Sequence, residues 1–298
     1  MKILLIGKNG QVGTELQRTL LPLGEVCALG RSDVDLQDMD SLKQALDSHA
    51  ADVIVNASAY TAVDKAESDE AGAFRVNAEA VGVMAEWAAA HDALLVHYST
   101  DYVFDGTKEG AYQESDPTHP QSAYGRSKRA GEEAILASGC RVLVFRTSWV
   151  FSTHGGNFVK TMLRLAAERD SLNVVADQFG APTSAELLAD VTALAIAGHR
   201  RGALADGIYH LSAAGATSWH GLASHVIARA QANGASFKLD AGQIRAVPTE
   251  AYPLPAKRPR NSRLDTGALS GALGLQLPDW RVHVDRAVDQ LTRMDRHT

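Results

Sequence analysis

Lys2-Ile3-Leu4-Leu5-Ile6-Gly7-Lys8-Asn9-Gly10-Gln11-Val12-Gly13 is the stretch whose reading decides the fold. Its first half is a run of large aliphatic residues, the composition of a strand covered on both faces. Its second half spaces three glycines three apart and leads into a helical pattern over residues 12–22. Glycines between a strand and a helix permit a tight turn, a close approach of backbone to a pyrophosphate and close helix packing. The helix N-terminus meanwhile faces the phosphate charge. The order G-x-x-G-x-x-G departs from the commoner G-x-G-x-x-G, yet its place between strand and helix predicts a dinucleotide cradle at Gly7, Gly10 and Gly13.

Outward from this stretch the alternation continues. Aliphatic runs at 26–30, 52–58, 94–100 and 141–149 predict further strands, and helical patterns at 40–48, 70–91 and 123–137 lie between them. Ser122 is placed to cap the last of these helices and Gly139 to stop it. After Trp149 the character changes. A loop at 151–157 precedes a helix at 158–169, a strand at 173–178, a turn-rich segment through Pro182, a helix at 184–197, a strand at 207–212 and a helix at 218–233. Pro248, Pro253, Pro255 and Pro259 then punctuate a loop-rich segment, and a final helix is expected at 281–294. The pattern is α/β: a doubly wound parallel sheet of Rossmann type over residues 1–150 that binds NAD(P), with later contributions near 173–212. A smaller mixed α/β lobe over 151–298 serves mainly the substrate, with no flexible linker between the two.

A chain of 298 residues with 45% hydrophobic and 21% charged content is long enough for one large domain or two ordinary ones. The formal charge of -6, with no basic run, argues against nucleic acid or an anionic membrane and for a small-molecule partner. Cys27 and Cys140 each sit in an apolar stretch, so a disulfide is not expected. The N-terminal apolar run is too short for a secretory signal, and no apolar run reaches the ~18 residues of a membrane span. A cytoplasmic protein is expected, as a monomer or a homodimer.

Tyr124 and Lys128 form an i, i+4 pair on one face of the 123–137 helix. A unit positive charge at ~5 Å in a medium of effective dielectric ~20 is worth roughly 3 kcal/mol. That would lower a phenol from ~10 by about two pKa units and make it a proton donor and acceptor. Strand ends supply the rest of the chemistry. After the second strand Leu29-Gly30-Arg31-Ser32 offers no acid for an adenosine ribose, which favours NADPH, although Asp35 could still reach adenosine. Small residues at 56–61 would let backbone pass beside a dinucleotide. Thr100, ending the fourth strand, could hydrogen-bond a substrate oxygen beside Tyr124.

Together these motifs resemble the extended short-chain dehydrogenase/reductase family, within it the branch that reduces deoxythymidine-diphosphate 4-keto sugars. Val63-Asp64-Lys65-Ala66-Glu67, His97 to Phe104, Arg146 to Val150, Asp177 to Thr183 and Arg258 to Leu264 carry the likeness along nearly the whole chain. The resemblance implies that NADPH, or less often NADH, delivers hydride to C4 of dTDP-4-dehydro-6-deoxy-L-mannose, giving dTDP-L-rhamnose. It implies Tyr124 as proton donor, Lys128 as its pKa-lowering partner and ribose ligand, and Thr100 as the orienting hydroxyl. Gly10, Gln11, Val12, Ala59, Tyr60, Thr61 and Tyr98 would line the cofactor, with Asp35 and Leu36 near adenosine. Asp101 and Trp149 would contact the sugar, and Arg258, Asn261 and Arg263 the diphosphate. Related dehydratases follow the threonine with Asp-Glu; here Asp101-Tyr102 lacks the glutamate, which favours simple carbonyl reduction. Some relatives in this family use Mg²⁺ held by carboxylates at a dimer contact. Glu15 and Glu186 fall at matching places, but residue 291 is Leu and only Asp289 is near the third. The alternatives are a non-catalytic NADP-binding subunit, like the regulatory β subunit of methionine adenosyltransferase, and a reductase or epimerase of another nucleotide sugar.

Overall fold

The computed structural model describes residues 1–239 and 241–294. In the first half the aliphatic runs form β1 (Lys2–Ile6), β2 (Glu25–Leu29), β3 (Val53–Asn56), β4 (Leu94–Thr100) and β5 (Arg141–Thr147). Between them lie α1 (Gln11–Thr19), α2 (Met39–His49), α3 (Val63–Ala66), α4 (Glu70–Phe74), α5 (Ala80–Ala90) and α6 (Ala123–Ser138). The later half contributes β6 (Val150–Phe151), α7 (Phe158–Glu168), β7 (Leu172–Val175), β8 (Phe179–Gly180), β9 (Thr183–Ser184) and α8 (Ala185–Arg200). There follow β10 (Gly207–His210), β11 (Thr217–Ser218), α9 (Trp219–Ala232), β12 (Ile244–Val247), α10 (Gly267–Leu273) and α11 (Trp280–Met294).

Six strands make one parallel sheet in the order β2-β1-β3-β4-β5-β10. Because side chains alternate across a strand, the continuous aliphatic runs divide between two cores. Ile3, Leu5, Val55, Val96 and Phe145 pack with Leu16 of α1 and Leu188 and Ile196 of α8. Leu4, Ile6, Ile54, Leu95 and Val144 pack on the other face with Leu42 of α2, Met84 of α5 and Ile135 of α6. The fold is therefore a doubly wound α/β sheet. Its strand order reverses between β1 and β3, so a crevice opens at their carboxyl ends, where such folds bind ligands.

Three details differ from the sequence expectation. The helix expected over 70–91 is broken by a π-helical segment, Arg75–Glu79, which sets the direction of Asn77. The segment expected to be loop-rich between residues 233 and 263 contains β12, paired in parallel with β7, and α10 follows it where no element was expected. The loop expected at 151–157 begins instead with Phe151 in β6, paired with β9. Both cysteines are free thiols. Among the described residues no helix is long and apolar enough to cross a membrane.

Candidate active site

A cleft of about 640 Å³ opens at the carboxyl ends of the central strands. Its floor begins at the glycine turn. Gly7 has φ +98°, and a Cβ there would lie 2.6 Å from Ser58 Oγ and 2.9 Å from Ala57 C. A Cβ on Gly13 would lie 2.0 Å from Gly7 O, so this glycine serves the packing of α1 on β1 and does not line the cleft. Gly10 does line it, as do Gln11 and Val12. Gly10 caps α1 without any side-chain hydrogen bond. The first-turn N–H groups are thereby left for an anion, which is what a pyrophosphate cradle needs.

At one end Arg31, Asp35 and Leu36 form the wall. Asp33, the acid nearest Arg31 in sequence, is taken: its Oδ2 accepts from Gly30 N at 2.8 Å and from Lys8 Nζ at 2.6 Å. Those two donors hold its carboxyl below the usual range. Among the described residues Arg31 pairs with no carboxylate, which fits a 2′-phosphate better than a ribose diol. Ala59, Tyr60 and Thr61 line the middle of the cleft. Asn77 fixes them, its Oδ1 accepting from Tyr60 N at 2.9 Å and its Nδ2 donating to Tyr60 O and to Ser127 Oγ of α6.

Tyr98, Tyr124 and Lys128 stand at the other end. Ser122 Oγ caps α6 by accepting from Gly125 N, and Gly139 ends it at φ +69°. A Cβ on Gly125 would meet Tyr102 O at 2.3 Å and one on Gly131 would meet Asn77 O at 2.2 Å. These two glycines therefore let α6 press close enough to deliver Tyr124. Burial pushes the Tyr124 phenol up to about 12, the nearby Thr100 hydroxyl pulls it down, and the Asp101 charge raises it.

The expectation that Lys128 lowers this phenol is not met in the arrangement seen. Lys128 Nζ turns to β4, donating to Tyr98 O at 2.6 Å and lying 3.0 Å from His97 Nε2. Burial brings the amine down to about 8, opposed by Glu132. Desolvation acts on both members of the i, i+4 pair, and a surface-helix estimate omits it.

Thr100 Oγ1 donates to Asp101 Oδ1 at 3.0 Å and accepts from Tyr102 N. Burial raises the Asp101 carboxyl to about 6 against the Ser262 and Thr100 hydroxyls. Its Oδ2 nevertheless makes no well-formed hydrogen bond. Trp149 holds φ +50° and stacks on Trp219, ring centroids 3.6 Å apart. Gly180 makes room, since a Cβ there would lie 2.6 Å from Trp149 Cε2.

The expected diphosphate residues lie outside the lining of the cleft and already hold partners. Arg258 Nη2 donates to Asp64 Oδ2 at 2.8 Å. Asn261 Nδ2 donates to Lys108 O and Gly110 O, while Arg263 donates to Asn261 Oδ1 and to the Glu109 carbonyl. The metal expectation fares worse. Glu15 and Glu186 line one small pocket, but Glu186 pairs with Arg286 at 2.9 Å, and Asp289 is held by Arg229 at 2.6 Å and by Asn233. Among the described residues no three or more His, Cys, Asp or Glu side chains are grouped to hold a metal ion. The described residues of one chain therefore do not fit a Mg²⁺ site.

Sequence reading included Asn56, His97 and Arg146 in its motifs without giving them a role of their own, and did not single out Asn77 or Glu132, the partner with which Arg146 forms a fully buried pair beneath the cleft. The available signal was a polar residue inside an aliphatic strand: His97 follows Val96 in β4 and is 0% exposed.

The family described as RmlD substrate binding domain matches residues 1–293. A dTDP-4-dehydrorhamnose reductase of Burkholderia thailandensis is 51% identical over 98% of this chain and 99% of its own. The crystal structure of a dTDP-4-dehydrorhamnose reductase from Clostridium acetobutylicum superposes with TM-score 0.90 at 34% identity, covering 98% of this chain and 99% of that one. The enzyme of the same name from Bacillus anthracis, solved in complex with NADP, gives TM-score 0.86 at 32% identity, covering 97% and 99%.

Proposed function

The chain belongs to the RmlD substrate binding domain family, that of the dTDP-4-dehydrorhamnose reductases, and we propose that it reduces the C4 ketone of dTDP-4-dehydrorhamnose with NADPH. The observation that carries this reading is one continuous wall. The cleft that starts at the uncapped N-terminus of α1 ends at Tyr124, whose phenol is near the Thr100 hydroxyl at the end of β4.

Gly10, Gln11 and Val12 would hold the pyrophosphate, Arg31 the 2′-phosphate, and Asp35 and Leu36 the adenosine. Ala59, Tyr60, Thr61 and Tyr98 would line the path to the nicotinamide. When bound, the cofactor supplies the hydride. Thr100 orients the ketone oxygen, and Tyr124 gives its proton to the alkoxide formed there. A phenol raised to about 12 remains protonated at neutral pH, the state required of a donor to a strongly basic alkoxide. Lys128 would reach the nicotinamide ribose. Asp101 and Trp149 would contact the sugar, Asp101 through its unsatisfied Oδ2, and Arg258, Asn261 and Arg263 the nucleotide diphosphate. In this reading residues 1–150, joined by β10, carry the cofactor, and 151–298 mainly the substrate. Two free thiols fit action in the reducing cytoplasm.

The test is NADPH absorbance with the purified chain and the keto sugar, followed by NMR of the product. Consumption of NADPH with dTDP-L-rhamnose as product supports the reading, and another C4 configuration would assign another sugar. A chain that binds NADPH without consuming it would be a binding subunit instead.

A further inference from the structure

Asn56, His97 and Lys128 form a hydrogen-bonded row beside the cleft, exposed by 1%, 0% and 1%. At one end the Ser58 backbone N–H donates to Asn56 Oδ1 at 3.0 Å. Asn56 Nδ2 lies 3.1 Å from His97 Nδ1, and His97 Nε2 lies 3.0 Å from Lys128 Nζ. A backbone N–H can only donate, so the Asn56 atom facing it is the oxygen and the amide NH₂ faces His97. That NH₂ also only donates, so Nδ1 presents its lone pair. A neutral imidazole carries one proton, which then sits on Nε2. The Nε2–H points at Lys128 Nζ, and that nitrogen accepts a hydrogen bond only as a neutral amine. Its own bond to Tyr98 O needs one N–H, which the amine still has.

Both ends of the row reach the cleft, through Ser58 and through Lys128. We propose that Ser58, Asn56 and His97 are positioning residues that keep Lys128 a neutral amine in the cofactor-free chain and let it take a proton when cofactor binds. The cofactor half of this rests on the reading that the cleft takes NADP(H). The step is one proton moving from solvent to the Nζ lone pair. Once charged, Lys128 would set donor against donor at His97, so it turns away from β4 into the cleft, toward the ribose and Tyr124. The positive charge thus arrives where the phenol can use it only in the loaded site.

Burial works in the same direction. It brings Lys128 down to about 8, so that near and above that pH the neutral amine the row requires is well populated, and it holds His97 well below its ordinary range. The titratable groups around Lys128 are Tyr124 and Glu132 on α6 and His97 and Tyr98 on β4. Glu132, which favours the ammonium, is itself held by Arg146 of β5, Arg129 of α6 and Ser99 of β4.

Nitrogen-15 NMR of the imidazoles in the cofactor-free chain, with the His97 signals assigned by comparison with His97→Gln, reads the tautomer directly. The proton is expected on Nε2, and a proton on Nδ1 overturns the row. Calorimetry of NADP⁺ binding near about pH 8, in buffers of different ionisation enthalpy, should show uptake of roughly half a proton or more per site. Asn56→Asp offers carboxylate oxygens to both Ser58 N–H and His97 Nδ1–H. His97 Nε2 then accepts from a Lys128 that is already charged, and the uptake should vanish while binding persists. Equal uptake in the two chains, or none in the wild type despite binding, overturns the proposal. Failure of the wild type to bind NADP⁺ would sink the cofactor reading, and the tautomer measurement would then decide the row alone.

Discussion

On the glycine-turn side of the site, backbone forms the surface: Gly7 packs on Ser58, Gly13 packs on Gly7, and the first turn of α1 opens into the cleft. On the side proposed to take the nucleotide diphosphate, charged and amide side chains form the surface, and each already has a protein partner: Arg258 has Asp64, Asn261 has the 108–110 backbone, and Arg263 has Asn261. The first side is preorganised. The second must exchange one hydrogen bond for another when a ligand arrives, so its net contribution is a difference between similar terms. Substitutions should therefore separate the two sides by kind of effect as well as by size.

The largest effect is expected beneath the preformed side. Glu132 and Arg146 are 0% and 2% exposed, joined by bonds of 2.8 and 2.7 Å. Burial pushes the Glu132 carboxyl up, but Arg146, Ser99 and Arg129 outweigh it and hold it below the usual range. Glu132→Ala leaves a buried guanidinium without its counter-charge and should cost about 3–5 kcal/mol in a denaturant melt. A cost as small as that of a surface pair, under about 1 kcal/mol, would mean that the floor is wetter than its burial implies.

Tyr124→Phe should come next. It removes the proposed proton donor and leaves the ring in the cleft wall, so kcat should fall ~10²-fold or more while the Kd for NADPH holds. Near-normal turnover would remove Tyr124 from the chemistry. Loss of NADPH binding would instead make it part of the preformed wall.

Asp101 lies between the two sides and carries the pH dependence. Its carboxyl, raised by burial to about 6, stands above the ~3.9 of an unfolded aspartate. The folded chain thus binds this proton more tightly than the unfolded one. The stabilising contribution is complete below pH ~3.9 and is lost as pH rises through about 6, at a total of about 3 kcal/mol. Melts of wild type and Asp101→Asn across that window should diverge, the wild type losing stability relative to the variant as pH rises. Parallel curves would place Asp101 in a more solvated setting.

The same contrast explains what could be read from the sequence. The glycine turn was legible because backbone geometry forces the residue: at φ +98° with Ser58 Oγ 2.6 Å from any Cβ, only glycine serves at position 7. Four of the five early strands, β1, β3, β4 and β5, were legible because double-sided burial leaves a continuous aliphatic run, and β2, at the sheet edge, is half-buried but still apolar from Val26 to Leu29. β12 was hidden by the prolines that follow it and by its four-residue length, with Arg245 and Ala246 exposed. The π segment at Arg75–Glu79 was hidden because its residues are ordinary helix formers, and it is the approach of Gly131 to Asn77 O that defines its place. The spacing of Tyr124 and Lys128 could be counted, but where Lys128 points could not. That depends on His97 and Tyr98, brought in by a strand 30 residues away in sequence.

The smallest effect is the sharpest test of exchange on the nucleotide side. The Arg258–Asp64 pair is partly exposed, 16% and 39%, so it is worth only about 0.5–1 kcal/mol to the folded chain. If Asp64 competes with a diphosphate for the guanidinium, Asp64→Asn weakens the competitor and leaves the Ala256 N–H an oxygen to bond. The KM for the nucleotide sugar should then fall by roughly 2- to 5-fold, the equivalent of that pair energy, with kcat and the KM for NADPH unchanged. Arg258→Ala should move the same KM the other way. A rise in KM for Asp64→Asn would mean that Asp64 aims Arg258 at the ligand, and the nucleotide side would then be as preorganised as the glycine turn.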